Sequence, residues 1–228
     1  FADFFGDAWL GLGGYLLEGS HLGISDDALK ALLNDMQKET RTFIRHILKN
    51  NLPINELYTA EYSFLNERLQ KHYGFEVTTN NAQFVKTNYP AGSTRRGLMT
   101  QAAILAKAFD GTKTSVVKRG VLPLDAFICT APEPPTGDEI NDQINDQATA
   151  ATTEKEKLVD RASKNACASC HAVIDPIGWV FTEFGIAGEN INLDPDGDAL
   201  NTSGSLFNQN FWPLCKTVVI LLISHMRY

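Results

Sequence analysis

The chain has 228 residues, of which 43% are hydrophobic and 21% are charged, and its net charge is −7. This length allows one large domain or two small ones, and the composition is that of an ordinary globular protein. An acidic chain without a run of Lys and Arg is a poor candidate for binding nucleic acid or an anionic membrane. The longest apolar run, 218–223, is much too short to cross a bilayer, so no integral membrane segment is expected.

The first part of the chain is predicted to be helical. Apolar residues at helical spacing predict a helix over 2–17, although its glycines weaken it. Ser25, followed by two aspartates, predicts the start of a second helix that runs to about Lys49. The leucines and tyrosines of 55–72 predict a third helix, which the glycine that follows should end.

Three more segments complete this helical region. The polar segment 75–96 is predicted to be a loop with a short strand near its apolar residues. A fourth helix is predicted over 97–109 and a fifth over 115–129, the latter interrupted by Pro123. The fold class is therefore predicted to be mainly α, beginning with a helical N-terminal domain.

A domain boundary is predicted over 131–153, which is rich in Pro, Asp, Asn, Gln and Thr and poor in large apolar residues. This linker or exposed loop would separate a helical domain, 1–130, from a C-terminal domain, 154–228. Within the C-terminal domain, a short charged helix is predicted over 154–164 and a last helix over 211–226.

The C-terminal domain contains the motif Cys167-Ala-Ser-Cys170-His171, the attachment signature of a c-type haem. On a helical turn both thiols would meet one porphyrin edge and form thioethers, while His171 would ligate the iron. A thioredoxin-like pair would need a βαβ unit, and a zinc site would need a second ligand pair; neither is visible. The apolar residues that follow, including Trp179, could cover a haem face and exclude water.

The motif also predicts the cellular compartment in which the protein acts. Cytochromes of this kind mature outside the cytoplasm, where disulfides are permitted, so we expect a periplasmic or extracellular protein. Cys129 and Cys215 are then predicted to form a disulfide. No signal peptide is visible, and the start at Phe1 is what a mature or trimmed chain would show.

Several blocks of sequence follow one another in the order found in a known family. These blocks are Glu61 to Leu69, His72 to Gly74, Arg96 to Ala102, Thr114 to Gly120, Cys129 to Pro135, Cys167 to His171, Ile174 to Gly178 and Glu183 to Gly185. They resemble segments of large exported bacterial proteins of unknown function that are abundant in planctomycetes. The resemblance implies a helical domain joined to a planctomycete-type cytochrome c-like domain, and no known reaction. Val116 and Gly185 depart from the family, which usually has proline and aspartate there.

The sequence offers several candidates for the second axial ligand of the iron. Met99 is the first candidate, because it lies early in a predicted helix beside Arg95 and Arg96, which could bind the haem propionates. Met226 is the second candidate, and a histidine or an empty position are further alternatives. A methionine at an apolar helical position is more often part of the core, and the arginines could be ordinary surface charges. Further candidates for propionate partners are Lys118 and Arg119.

The sequence therefore predicts an exported mono-haem c-type cytochrome that carries single electrons. Its partner would be a redox protein or copies of itself, in a homo-oligomer or filament that aligns the haems. One alternative is a haem enzyme of peroxidase type with an open distal site, for which His72 or His46 could serve as the acid–base group. Another is a haem-stabilised interaction module.

Overall fold

The structure is a computed structural model that describes residues 8–80, 82–128, 131–133, 154–163 and 165–191. It divides the chain into two compact units. The first contains residues 1–115 and 183–191, and the second contains 116–182 and 192–228. The described residues form helices and one two-stranded sheet, which confirms the mainly α prediction. In these ranges no helix is both long enough and apolar enough to cross a membrane.

Helix α2 is the element on which the first unit is built. It spans Asp26–Lys49 and follows a single helical turn, α1, at Gly19–Leu22. Ser25 begins α2 as predicted, because its Oγ accepts a hydrogen bond from the amide of Ala28 at 3.2 Å. The predicted apolar stripe is buried, and its members are Leu29, Leu32, Met36, Phe43, Ile44 and Ile47.

The predicted third helix is wrong in its middle. The chain instead forms helix α3 (Glu56–Thr59), strand β1 (Tyr62–Leu65) and helix α4 (Glu67–His72). Strand β1 pairs antiparallel with β2 (Val85–Asn88), which confirms the short strand predicted after α4. In β1 every second residue is buried, a period of two that favours a strand once a pairing partner is available.

The predicted first helix is also wrong over residues 10–17, which are irregular. Gly11, Gly13 and Gly14 adopt φ values of 55°, 127° and 61°, and three such residues cannot lie in a right-handed helix. The predicted fourth helix is present in three short pieces. These are a 3₁₀ turn at Leu98–Thr100, helix α5 at Ala102–Leu105 and a second 3₁₀ turn at Ala106–Ala108.

The described part of the second unit contains three α-helices. They are α6 (Val116–Pro123), which continues as a π-helical turn at Leu124–Ile128, α7 (Glu154–Ser163) and α8 (Asn165–Trp179). The change of helix type after Pro123 confirms the predicted interruption. Helix α8 packs against both α6 and α7.

Glycines set the contact between α6 and α8. A Cβ at Gly120 would overlap the backbone of Ile174, and a Cβ at Gly178 would overlap the backbone of Val116. The two helices can approach this closely only because neither position carries a side chain. This contact explains why α6 belongs to the second unit, although the sequence placed it in the domain 1–130.

Some predictions lie outside the described residues. Of the predicted linker 131–153 the structure describes only 131–133, and it does not describe the predicted helix over 211–226. The predicted disulfide also falls there, because neither Cys129 nor Cys215 is among the described residues. These remain predictions.

Candidate functional site

The Cys-x-x-Cys-His motif lies on helix α8, where the sequence predicted a helical turn at the motif but no longer helix. Residues three and four apart lie on the same side of a helix, so Cys167, Cys170 and His171 share one side of α8. Both cysteines are half-buried and neither is in a disulfide. Two thiols and an imidazole therefore line one stretch of helix, with both sulfurs available for covalent attachment.

The imidazole of His171 is held by the carboxylate of Asp175, one helical turn further on. Nδ1 of His171 lies 2.9 Å from Oδ1 and 3.0 Å from Oδ2 of Asp175. A carboxylate only accepts hydrogen bonds, so Nδ1 is the donor, and the lone pair of the neutral ring is on Nε2. No described residue forms a hydrogen bond with Nε2. His171 therefore offers one nitrogen as a ligand, in a fixed tautomer.

The rest of the second unit holds this side of α8 in place. Ile174 and Ile177 are buried, and Thr182 donates through its amide and Oγ1 to the carbonyl of Trp179 at the helix end. The buried guanidinium of Arg119, on α6, donates to the carbonyl of Phe181. Trp179 itself is half-buried. Cys167, Cys170, His171 and Trp179 thus lie on a helix that packs through Ile174 and Ile177.

Met99 and Arg96 belong to the first unit. Met99 is half-buried in the 3₁₀ turn Leu98–Thr100, and its assignment as an iron ligand remains a prediction. One guanidinium nitrogen of Arg96 donates to the carbonyls of Ser93 at 2.7 Å and Arg95 at 2.6 Å. The other lies 3.1 Å from Oε1 of Glu61. Arg96 thus already binds protein groups of its own unit, and a role towards propionates remains a prediction.

Arg95 is fully buried, which its place in a polar loop did not suggest. Its guanidinium donates to the carbonyl of Gly188 at 2.5 Å and to Oδ1 of Asn190 at 2.7 Å. The charge also lies over the rings of Tyr73 and Phe184, at 3.8 and 4.7 Å from their centroids. Arg95 therefore attaches the segment 183–191 to the first unit, although the sequence placed that segment in the domain 154–228.

The first unit also contains a buried acid that the sequence analysis missed. Glu39 is fully buried, and its carboxylate accepts hydrogen bonds of 2.6 Å from the hydroxyls of Ser63 and Tyr73. Burial raises the pKa of Glu39 to about 7, because the hydrogen bonds and Arg95 offset only part of the desolvation. Glu39 lies three residues after Met36 and four before Phe43, within the apolar stripe, and that spacing was the signal for its burial.

The two histidines of the enzyme alternative lie in the first unit. Nε2 of His72 is 2.8 Å from the carbonyl of Ala187, and burial lowers the pKa of His72. His46 packs against the rings of Tyr62 and Phe64, and burial lowers its pKa too. A lowered pKa leaves both imidazoles neutral at physiological pH, and a role for either as the acid–base group remains a prediction.

The ligand set on α8 suits a metal that brings most of its own ligands. Among the residues that the structure describes, no group of three His, Cys, Asp or Glu could hold a metal ion directly. The two cysteines therefore gain no partners for a zinc site in this part of the chain. Two thiols and one imidazole nitrogen match a porphyrin, which supplies four nitrogens to its iron and needs a protein for attachment and an axial ligand.

The described part of the second unit is thus helical and presents a Cys-x-x-Cys-His motif. Two family models match the chain, both described as proteins of unknown function. The model named PSD4 (DUF1592) matches residues 1–75, and the model named PSCyt3 (DUF1588) matches residues 95–192, which include the motif. No curated protein matches, and neither does any solved structure. The matches confirm the resemblance to uncharacterised proteins, while the haem remains a prediction.

Proposed function

We propose that the chain is an exported mono-haem c-type cytochrome that carries single electrons. Haem would be attached through thioethers to Cys167 and Cys170, with Nε2 of His171 as the axial ligand. When bound, haem supplies an iron that takes up and releases one electron. The observation that carries the proposal is that α8 presents both thiols and the imidazole on one side, with Nδ1 of His171 already held.

The residues of the second unit have distinct roles in this proposal. Cys167 and Cys170 fix the position of the macrocycle, and Asp175 fixes the ring of His171 so that Nε2 faces one direction. The buried Ile174 and Ile177 anchor α8, and the half-buried Trp179 can exclude water from an edge of the site. A rigidly packed helix keeps the ligand geometry similar in both oxidation states, which favours rapid electron transfer.

The second axial ligand decides whether the iron can bind small molecules. Met99 is the first candidate, and replacing it with Ala tests it directly. Loss of the low-spin visible bands in Met99→Ala would support the assignment. Unchanged bands would rule Met99 out and leave Met226, a histidine or an open position.

Export and partners follow from the same proposal. Thioether formation takes place outside the cytoplasm, so the chain would act in the periplasm or outside the cell. A single haem must exchange electrons with another cofactor, either in a redox partner protein or in a second copy of this chain. The net charge of −7 would favour a partner with a basic surface.

The test is covalent haem itself. The full chain is produced behind an export signal in a bacterium that matures c-type cytochromes, and the intact mass is measured. We expect the wild type to gain the mass of one haem, and Cys167→Ala and Cys170→Ala to weaken or lose the attachment. Ser169→Ala, which lies in the motif but has no ligand atom, is the matched control and should retain haem. A wild-type mass equal to that of the polypeptide would overturn the proposal.

One observation favours a second candidate, a haem enzyme with an open distal face. A carboxylate on Nδ1 strengthens the donation from Nε2 and stabilises oxidised iron, which suits an iron that reacts with an oxidant. A ferric high-spin spectrum that changes on adding cyanide would favour the enzyme. A low-spin spectrum that is unchanged by cyanide or carbon monoxide would favour the electron carrier.

A further inference from the structure

We infer that Asp175 is a positioning residue that lowers the redox potential of the haem through its hydrogen bonds with His171. This inference rests on the proposed function, because it needs haem ligated by Nε2 of His171. It goes further by assigning a role to a residue outside the Cys-x-x-Cys-His motif.

The carboxylate of Asp175 contacts the imidazole of His171, the proposed iron ligand. Both oxygens of Asp175 lie within 3.0 Å of Nδ1, and the two side chains are only 18% and 10% exposed for His171 and Asp175 respectively. The carboxylate of Asp175 bonds no other side chain in the described part of the chain. An exposed pair with this spacing would be an ordinary helix-stabilising contact, but burial protects this pair from solvent screening.

The direction of the effect follows from charge. A carboxylate that accepts the Nδ1 proton shifts electron density onto the imidazole, so that Nε2 becomes a stronger donor. A stronger donor, together with a negative charge that solvent screens poorly, stabilises ferric iron more than ferrous iron. The carboxylate of Asp175 therefore lowers the midpoint potential, and an uncharged acceptor in its place should raise it.

The main experiment compares two variants that each remove one negative charge from the second unit. Asp175→Asn keeps an oxygen that can accept from Nδ1 but removes the charge. Asp125→Asn removes an exposed carboxylate from the π-helical turn of the same unit and is the matched control. Midpoint potentials of the haem-containing proteins are measured by spectroelectrochemical titration. We expect Asp175→Asn to shift upward by at least about 59 mV, a tenfold change for one electron, and Asp125→Asn to shift far less.

A second measurement does not depend on the variant's folding. In the ferrous low-spin wild type with labelled histidine, nitrogen NMR should show an Nδ1 proton of His171 that exchanges slowly with solvent. Asp175→Glu, which retains the carboxylate, should keep a potential closer to that of the wild type than Asp175→Asn does.

The outcomes separate this inference from the proposed function. Covalent haem in the wild type with equal potentials in Asp175→Asn and Asp125→Asn would overturn the role of Asp175 and leave the cytochrome intact. If Asp175→Asn fails to acquire haem, an unprotected Nδ1 proton in the wild type would overturn the role, and a protected one would support it. A wild type without covalent haem would overturn both.

Discussion

Replacing Glu39 with Gln should remove a pH dependence from the stability of the first unit. Glu39 has a pKa of about 7 in the folded protein and 4.5 as its ordinary value. The folded state therefore binds a proton that the unfolded state has lost, and stability falls as the pH rises from 4.5 to 7. A difference of this size corresponds to about 3 kcal/mol. This loss of stability is absent below pH 4.5 and complete above pH 7.

The substitution Glu39→Gln is chosen to keep the local hydrogen bonds. The side-chain amide that it introduces has nearly the shape of the carboxyl group. This amide can accept from one hydroxyl and donate to the oxygen of the other, those of Ser63 and Tyr73. Urea unfolding is followed by circular dichroism between pH 4.5 and pH 8 for the wild type, Glu39→Gln and Glu76→Gln. Glu76 is an exposed residue of the same unit and controls for the loss of one carboxylate.

The quantity to compare is the difference in the free energy of unfolding between each variant and the wild type. We expect the free energy of unfolding of Glu39→Gln, minus that of the wild type, to rise by about 3 kcal/mol from pH 4.5 to pH 8. The same difference for Glu76→Gln should stay nearly constant. A constant difference for Glu39→Gln would show that Glu39 is ionised at pH 4.5 in the folded protein, and would refute the reasoning.

Three further substitutions test other contacts. Arg95→Lys should lower the free energy of unfolding by about 3 kcal/mol, because a lysine cannot both reach the acceptors on Gly188 and Asn190 and stack on the aromatic rings. A change below about 1 kcal/mol in urea unfolding would contradict this. Gly178→Ala should cost about 1–3 kcal/mol and lower the thermal midpoint by overlapping α6, whereas the exposed Ala172→Ser on the same helix should not. Ser25→Ala should cost about 1 kcal/mol by removing the cap of α2, and an unchanged urea midpoint would contradict the capping role.

How far the fold could be predicted depended on whether local signals agreed with long-range ones. Helix α2 was predicted correctly, because its capping serine, acidic first turn and apolar stripe all agree. The segment 55–72 was not, because its leucines and tyrosines also fit helical spacing, and only the pairing with β2 selects the strand Tyr62–Leu65. No sequence window of helical length contains that partner.

In the candidate site, too, features set by neighbouring residues could be predicted, and features set by distant residues could not. The motif could be predicted directly, because five adjacent residues define both the chemistry and the spacing, whereas the full length of helix α8 was not predicted. Asp175 is one turn further on and could have been found by asking which residue meets Nδ1 of His171. The burial of Arg95 could not, because its acceptors on Gly188 and Asn190 lie more than ninety residues away in the sequence.

The contacts of Arg95 also explain why the domain boundaries could not be predicted from composition. The PSCyt3 match runs from residue 95 to 192, and Arg95 at its start binds Gly188 and Asn190 near its end. The chain leaves the first unit after 115 and returns to it at 183–191, while the second unit contains 116–182 and 192–228. A polar, Pro-rich segment signals an exposed loop, but not which elements the chain joins on either side of it. A buried guanidinium that needs several acceptors is what brings the two ends of the matched region together.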